Sequence, residues 1–334
     1  MSTETVLDNI EILKEEKPAE TDDFTYVEGV GPIPRDIYKH VTSDPLGDLP
    51  RYSVHIVIQH LLVFTTFIVL AATGLPIYFS DVFWAPYVTA LFGGIDTART
   101  IHRVAAVIMM LASAYHVITL IAGTVRKISK KEFDIRRTQV PMPKDLFDLI
   151  HDVKYFLGIE AYRPKMGKFM YKQKLHYLAI LWGTVVLMCA GSALLFPDVM
   201  AKFLPAAIAN MLPLEMTGDG GPSAFFQDLA RLMHADEAVM ALIVVAFWHL
   251  TNVHLVPGRF PAQWTFLTGR ITREHQIEEH FLEYLNNLRE IPEERDYMRN
   301  LLKKLGIVAP PDESVACQEN SGSEQREPLP ESQE

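Results

Sequence analysis

Cysteine is scarce in this chain, and its scarcity excludes several kinds of redox centre. Only two cysteines occur among 334 residues, Cys189 in an apolar stretch and Cys317 in an acidic one. A disulfide framework, a cysteine zinc site and an iron–sulfur cluster all need more thiols than this. The C-x-x-C-H motif that attaches c-type haem covalently is also missing. Any intrinsic redox chemistry must therefore depend on other side chains.

The chain also lacks the excess of basic residues that is typical of nucleic-acid binding. Its net charge is -10; residues 1–23 hold eight acids and two lysines, and residues 305–334 hold seven acids and one arginine. Each end thus carries -6, which leaves +2 for the rest of the chain. Acidic polar ends of this kind predict disorder. No nucleic-acid partner is expected, and the acidic N-terminus predicts no cleavable signal peptide.

Four apolar runs are long enough to cross a membrane. They lie at 55–79, 101–123, 175–196 and 234–257. About 20 apolar residues span a ~30 Å hydrocarbon core as a helix. Buried helices of a soluble bundle usually keep a polar stripe, whereas these runs are apolar nearly all round except at their histidines. The sequence therefore predicts an all-α fold, an integral membrane four-helix bundle.

Lysine and arginine are almost missing from two of the three loops, which predicts the orientation. The stretch 126–174 holds thirteen of these residues, whereas 80–100 holds one and 197–233 holds two. The positive-inside rule places 126–174 in the cytoplasm, together with both termini.

Helices at the cytoplasmic surface are expected in two places. The stretch 141–160 has apolar residues at helical spacing, and 270–305 reads as a charged helix broken at Pro292. The predicted parts of the chain are a polar N-terminal extension at 1–50, a membrane domain at 51–260, a cytoplasmic helical segment at 261–305 and a disordered acidic tail at 306–334.

Acids are missing from the middle of the apolar segments, but histidine is plentiful. Eight of the twelve histidines lie in these segments: His55, His60, His102, His116, His176, His234, His249 and His254. A polar ring in lipid is costly unless it has a partner, and neutral imidazole is the usual axial ligand of haem iron. Proton pumps and ion carriers tend to bury acids or lysine as well, so haem ligation is favoured. The alternative is a haem-free transporter or scaffold with a histidine-lined cavity.

Helix geometry sorts these histidines into two levels. His102 and His234 open their segments on the periplasmic side, and His60, His116 and His249 lie ~8–12 Å from the cytoplasmic face. Fifteen residues separate His234 from His249, so the two return to within ~60° of one helix face, ~23 Å apart. This predicts two b-type haems, with His102 and His234 holding the periplasmic-side iron. His249 holds the other iron, and His60 and His116 are both candidate partners.

Further residues are candidate neighbours of these cofactors. Arg103 follows a predicted ligand and is a candidate contact of a haem propionate. His116, Lys174 and His176 lie near the cytoplasmic level and are candidate quinone or haem contacts. His254 turns ~160° away from His234 and is expected to be interfacial.

Five stretches resemble the cytochrome b (gamma) subunit of respiratory formate dehydrogenase and the related cytochromes of thiosulfate reductase and nickel–iron hydrogenase. They are RYSVHIVIQHLLVFTTFIVLAATGLP, ARTIHRVAAVIMM, GKFMYKQKLHYLAILWG, HADEAVMALIVVAFWH and GRITREHQIEEHFLEY, and together they cover roughly residues 50–285. The resemblance implies that His60 and His249 hold the cytoplasmic-side haem, and that His102 and His234 hold the periplasmic-side haem.

The resemblance also implies a function and a location. It implies a multi-pass electron-transfer subunit in the bacterial cytoplasmic (inner) membrane, with two haem b groups as cofactors. Such a subunit passes electrons between a periplasmic-facing iron–sulfur or multihaem subunit and menaquinone or ubiquinone. The sequence departs from the family at three points: Leu61 replaces a usual Trp, Met170 replaces an Asn near the quinone, and the spacing of fifteen replaces a commoner fourteen.

Overall fold

The structure is a computed structural model that describes residues 24–27, 29–34, 37, 46–199, 221–255, 260 and 262–307. The chain forms two compact units. One unit comprises Met1–Gly47 and Arg273–Glu334, and the other comprises Asp48–Thr272. The disorder predicted for 1–23 falls outside the described residues, as does nearly all of that predicted for 306–334.

Three helices of the second unit are long and apolar enough to cross a membrane, counting only the described residues. They are α1 (Val54–Tyr78), α3 (Ile95–Ser129) and α5 (Tyr171–Leu195), with mean hydropathies of 2.1, 2.2 and 2.1. Few of their apolar positions are buried within the chain, as expected for helices that lipid surrounds. The first three predicted segments are thus confirmed as apolar helices, and α3 extends beyond both of its predicted ends. A short helix, α2 (Ala85–Leu91), precedes α3.

The fourth predicted segment is helical but begins earlier than predicted. Helix α6 spans Gly221–Ile243, a π-helical turn spans Val244–His249, and α7 spans Leu250–His254. The expectation that His234 opens this helix was wrong, because the polar sequence before it continues the helix. His102 likewise lies inside α3 rather than at its beginning.

Small and polar residues form the contact between α1 and α3. The buried residues on these two helices include Ala98, Ala105 and Ala112 of α3 and Gln59, Thr66 and Thr73 of α1. Both sets recur every seven residues, the interval that keeps one face of a left-handed helix pair in contact. Small side chains let helix backbones approach closely in a membrane. Helix α6 packs along α5 and also contacts α1.

The amphipathic helix predicted within 141–160 forms as α4 (Pro143–Phe156). Pro143 occupies the first turn, where its missing N–H costs nothing. The Asp145 carboxylate accepts a hydrogen bond of 2.6 Å from the Met142 N–H and so caps the helix.

Short strands are a departure from the predicted all-α fold. Strands β1 (Phe24–Val27) and β2 (Gly31–Pro34) form an antiparallel hairpin. In the second unit, β3 (Leu49–Pro50) pairs with β4 (Arg270–Ile271), which follows the short helix α8 (Thr265–Thr268).

The first unit contains the hairpin and three C-terminal helices, where the sequence predicted one helix with a single break. These are α9 (Arg273–Glu279), α10 (Phe281–Glu290) and α11 (Pro292–Lys304); the break expected at Pro292 is present, and a second one occurs at His280. Its buried apolar residues include Val27, Ile33, Ile37, Leu288, Met298 and Leu302.

A buried ion pair joins two helices of this unit. Arg273 and Glu294 pair with side chains that are each 1% exposed. The Tyr284 hydroxyl donates a 2.8 Å hydrogen bond to the same carboxylate. Burial, together with the charge of Glu294, raises the pKa of Tyr284 well above its usual value, so the hydroxyl keeps the proton that it donates.

Candidate functional site

Two pairs of histidine rings approach each other within the second unit. His102 on α3 and His234 on α6 have ring centroids 6.3 Å apart, with their planes at 76°. His60 on α1 and His249 in the π-helical turn have centroids 6.4 Å apart, with their planes at 36°. All four side chains are partly buried. Four histidines that the sequence proposed as ligands are thus brought together two by two.

The ring separations are compatible with a metal shared by each pair. A metal between two opposed imidazoles lies ~2 Å from each nitrogen, and each nitrogen lies ~1 Å from its ring centroid, which places the centroids ~6 Å apart. Both pairs are near this value, at 6.3 and 6.4 Å. The separation alone is not distinctive, since the rings of His275 and His280 are also 6.4 Å apart.

Each pair brings two imidazoles together. Within the described residues, no group of three or more His, Cys, Asp or Glu side chains is arranged to hold a metal. Haem iron takes only one or two ligands from the protein, so two imidazoles are a sufficient set for it.

Thr73 fixes which nitrogen of His102 is free. The Thr73 hydroxyl donates to the carbonyl of Val69 at 2.7 Å, and its oxygen lies 3.0 Å from His102 Nδ1. Because the single hydroxyl proton is already used, the contact is satisfied when Nδ1–H donates to Thr73. The lone pair of the imidazole is then on Nε2, and such a partner orients a metal-binding histidine.

Two glycines leave room for the rings of the His102–His234 pair. A Cβ at Gly74 of α1 would lie 3.0 Å from His102 Cε1, and a Cβ at Gly191 of α5 would lie 3.1 Å from His234 Cε1. Neighbouring helices therefore pack directly against both imidazoles. A third glycine, Gly183, accommodates the carboxylate of Glu237, whose Oε1 would be 2.6 Å from a Cβ there.

The His60–His249 pair has two more rings beside it. His176 stacks on His249 at 4.8 Å with planes at 14°, and Phe266 lies 5.7 Å from His60. Stacked parallel rings cannot bind one metal from opposite sides, so His176 is a neighbour of the pair. The Nδ1 atoms of His60 and His176 are buried without a hydrogen-bond partner in the described part of the chain, which is unusual for native polar groups.

His116 is engaged elsewhere. Its Nδ1 lies 2.9 Å from Gln59 Oε1, and its Nε2 lies 3.0 Å from the Tyr177 hydroxyl. Gln59 donates in turn to Thr119 at 2.7 Å. This network joins α1, α3 and α5 and occupies both ring nitrogens of His116. Of the two candidate partners of His249, the structure brings His60 to it.

The remaining candidate residues are not members of either ring pair. Lys174 is buried and forms an ion pair of 2.9 Å with Asp145 of α4. Arg103 is exposed beside His102. His254 contacts Phe266 through its ring at 5.7 Å.

The π-helical turn explains how a spacing of fifteen keeps two histidines on one face. A π turn inserts one residue into an α-helix. Fifteen residues with one insertion rotate as fourteen do, to within ~40° of the starting face instead of ~60°. The π turn thus brings His234 and His249 closer to one helix face than a regular α-helix would.

Sequence reasoning did not identify the residues that support the rings, namely Thr73, Gly74, Gly191, Gln59 and Tyr177. The sequence does hold one signal: Gln59, Thr66 and Thr73 are polar residues at a seven-residue interval in an apolar helix. Such an interval indicates a helix contact, but the histidine that meets Thr73 is known only from the structure.

Comparison with known proteins gives no family. No protein-family model matches the chain, and no curated protein is similar enough to match it. The resemblance to formate dehydrogenase cytochromes therefore stays a prediction.

Proposed function

We propose that this chain is a membrane-anchoring di-haem b cytochrome subunit that moves electrons between a periplasmic redox partner and the quinone pool. The carrying observation is the presence of two histidine pairs at ring separations compatible with axial ligands, each with one member, His60 or His102, on a helix apolar enough to cross a membrane. In this proposal α6 is the fourth helix of the membrane bundle, and the membrane is the bacterial cytoplasmic one.

Haem, when bound, supplies reversible one-electron chemistry, and the protein supplies ligation and surroundings. His102 and His234 would hold one haem, and His60 and His249 the other. Thr73 keeps the Nδ1 proton of His102, so that its Nε2 can act as the ligand. The apolar faces of the spanning helices exclude water from both levels.

The two pairs lie near opposite ends of α1. The ring of His102 meets Thr73 and Gly74, close to the last residue of α1, whereas His60 lies near its first residue. The thirteen residues from His60 to Thr73 correspond to ~20 Å along a helix. Electrons would therefore cross most of the hydrocarbon core. A periplasmic-facing iron–sulfur or multihaem subunit would exchange electrons with the His102–His234 level.

Quinone would react at the other level. The positive-inside rule places the His60–His249 pair near the cytoplasm, where His176 and Phe266 border it. His176 has a buried Nδ1 without a partner in the described residues, which makes it a better candidate for a quinone contact than Lys174, which Asp145 already binds.

The direct test is the absorption spectrum of the purified full chain. We expect a reduced-minus-oxidised spectrum with a b-type α band and two haems per chain by quantification. Reduction by menaquinol or ubiquinol analogues should develop the same band. A chain that expresses in the membrane with haem available but shows no α band would contradict the proposal and favour a haem-free transporter or scaffold.

Replacing Thr73 with valine is expected to weaken one haem without removing its ligands. The substitution keeps the shape of the side chain but removes one acceptor of the His102 Nδ1 proton, the Thr73 hydroxyl oxygen. Loss of such an orienting partner typically lowers metal affinity ~10–100-fold. The fraction of haem that the variant retains during extraction by a chelator or a competing haem binder measures this loss of affinity.

Thr66→Val is the matched control for this prediction. Thr66 is also buried on α1 and also donates to the carbonyl four residues earlier, at 2.7 Å, but the described contacts of its hydroxyl include a methionine sulfur rather than an imidazole. We expect Thr66→Val to retain both haems. Equal haem loss in the two variants would show that Thr73 acts only in helix packing.

A further inference from the structure

Helix α4 buries acidic residues and exposes apolar ones, which is the reverse of the arrangement on a water-exposed helix. Its acids Asp148 and Asp152 are 9% and 1% exposed. An apolar stripe of Leu146, Ile150, Val153 and Leu157 is 59%, 46%, 49% and 70% exposed. The four stripe residues lie within ~60° of one another around the helix. Leaving such a face in water is unfavourable, whereas burying an acid requires partners.

The buried acids have those partners, and the partners attach α4 to a membrane helix. Asp145 pairs with Lys174 at 2.9 Å, and Asp152 accepts hydrogen bonds from Arg163 at 3.0 Å and from the Tyr171 hydroxyl at 2.8 Å. Tyr171 and Lys174 belong to the first turn of α5. Although burial opposes ionisation, these donors lower the pKa of Asp152 below its usual value.

This attachment determines where the apolar stripe lies relative to the hydrocarbon core of the membrane. Because α5 is one of the helices that can cross a membrane, its first turn marks the boundary of the hydrocarbon core. Helix α4 is held at that boundary by the ion pairs, with its acids turned inward and its stripe turned away from them. An amphipathic helix in this position buries its apolar face at the boundary between headgroups and acyl chains.

Charge identifies the kind of lipid. The stretch 126–174 contains thirteen Lys and Arg residues against six acids, and three of these acids, Asp145, Asp148 and Asp152, are held in ion pairs inside the protein. A basic excess beside a membrane helix favours a leaflet of anionic lipids.

We propose that α4 lies in the surface of an anionic leaflet, with its apolar stripe inserted among the acyl chains and the surrounding lysines and arginines beside lipid phosphates. The helix thereby fixes the level of α5 in the membrane. The proposal does not depend on haem binding.

The test places spin labels on the full chain in lipid nanodiscs. In a Cys189→Ser, Cys317→Ser background, a label at Ile150→Cys reports the stripe, and Leu146→Cys provides a second stripe position. Lys144→Cys is the control on the opposite side of α4, ~120–180° around the helix from the stripe residues, and its side chain is 55% exposed. Power saturation with oxygen and with a water-soluble nickel chelate then gives the depth of each label.

We expect the ratio of oxygen to nickel accessibility to be several-fold higher at both stripe positions than at residue 144, corresponding to a depth of ~5–10 Å. The labels should lie deeper in nanodiscs containing phosphatidylglycerol than in phosphatidylcholine alone. Equal ratios at stripe and control positions would overturn the insertion. Low accessibility to both reagents at the stripe would mean that protein covers it, which also overturns the proposal. Equal depth in the two lipids would overturn the role of anionic charge.

Discussion

Replacing His102 with alanine is expected to lower the haem content from two per chain to one, and replacing His234 is expected to remove the same haem. The two rings lie 6.3 Å apart, so each variant would leave one iron with a single axial ligand. The measurement is haem quantification together with the position of the remaining α band. The two variants should give the same residual spectrum.

The other pair should behave in the same way at its own level. His60→Ala and His249→Ala should each leave only the haem proposed for His102 and His234, and their residual spectra should match each other. Together the four single variants should give only two residual spectra.

His116→Ala is the control that tests the choice of partner. Both of its ring nitrogens are occupied by Gln59 and Tyr177, so we expect this variant to retain two haems. Three results would contradict the pairing: different residual haems in the His102 and His234 variants, loss of a haem in His116→Ala, or two haems in His60→Ala.

Replacing Glu294 with alanine is expected to destabilise the first unit by ~3–5 kcal/mol, because removing one partner of a buried pair leaves the other charge uncompensated. Arg273 would lose the carboxylate that its Nε and Nη2 atoms and the Tyr284 hydroxyl share. Hydrogen exchange over α9, α10 and α11 in the full chain measures the effect as faster opening of these helices.

Asp296 on the same helix provides the matched control. It pairs with Arg299 at 3.3 Å, but the two side chains are 60% and 37% exposed. Exposed pairs of this kind contribute less than ~1 kcal/mol, so Asp296→Ala should leave the exchange nearly unchanged. An equal and small change in both variants would mean that the buried pair does not stabilise this unit.

The sequence predicted the apolar helices well because the length of an apolar run is itself the evidence for such a helix. A run of about 20 apolar residues has few alternatives to a membrane helix, and α1, α3 and α5 follow such runs. The beginning of α6 was missed for the same reason: Asp228 and Arg231 interrupt the apolar pattern without interrupting the helix. The hairpin of β1 and β2 was missed because two four-residue strands in a polar extension carry almost no periodic signal.

For the candidate site, the sequence predicted only the depth of each histidine in the membrane and the helix face on which it lies. These two properties placed His60 and His116 at the same level, and nothing local distinguishes the two residues. The structure distinguishes them through Gln59 of α1 and Tyr177 of α5, which contact the two ring nitrogens of His116. Thr73 and Gly191 were missed because their roles depend on which imidazole meets them, and that is a property of helix packing.

The two ring pairs also differ in the angle between their planes, 76° for one and 36° for the other. The mutual orientation of axial imidazoles sets the asymmetry of the ligand field around a ferric ion. Two haems held at these angles would therefore be magnetically inequivalent. Their low-spin ferric signals in electron paramagnetic resonance would fall at different magnetic fields. The haem at each level of the membrane would then give a distinct signal in a frozen sample of the intact chain, without separation of the two centres.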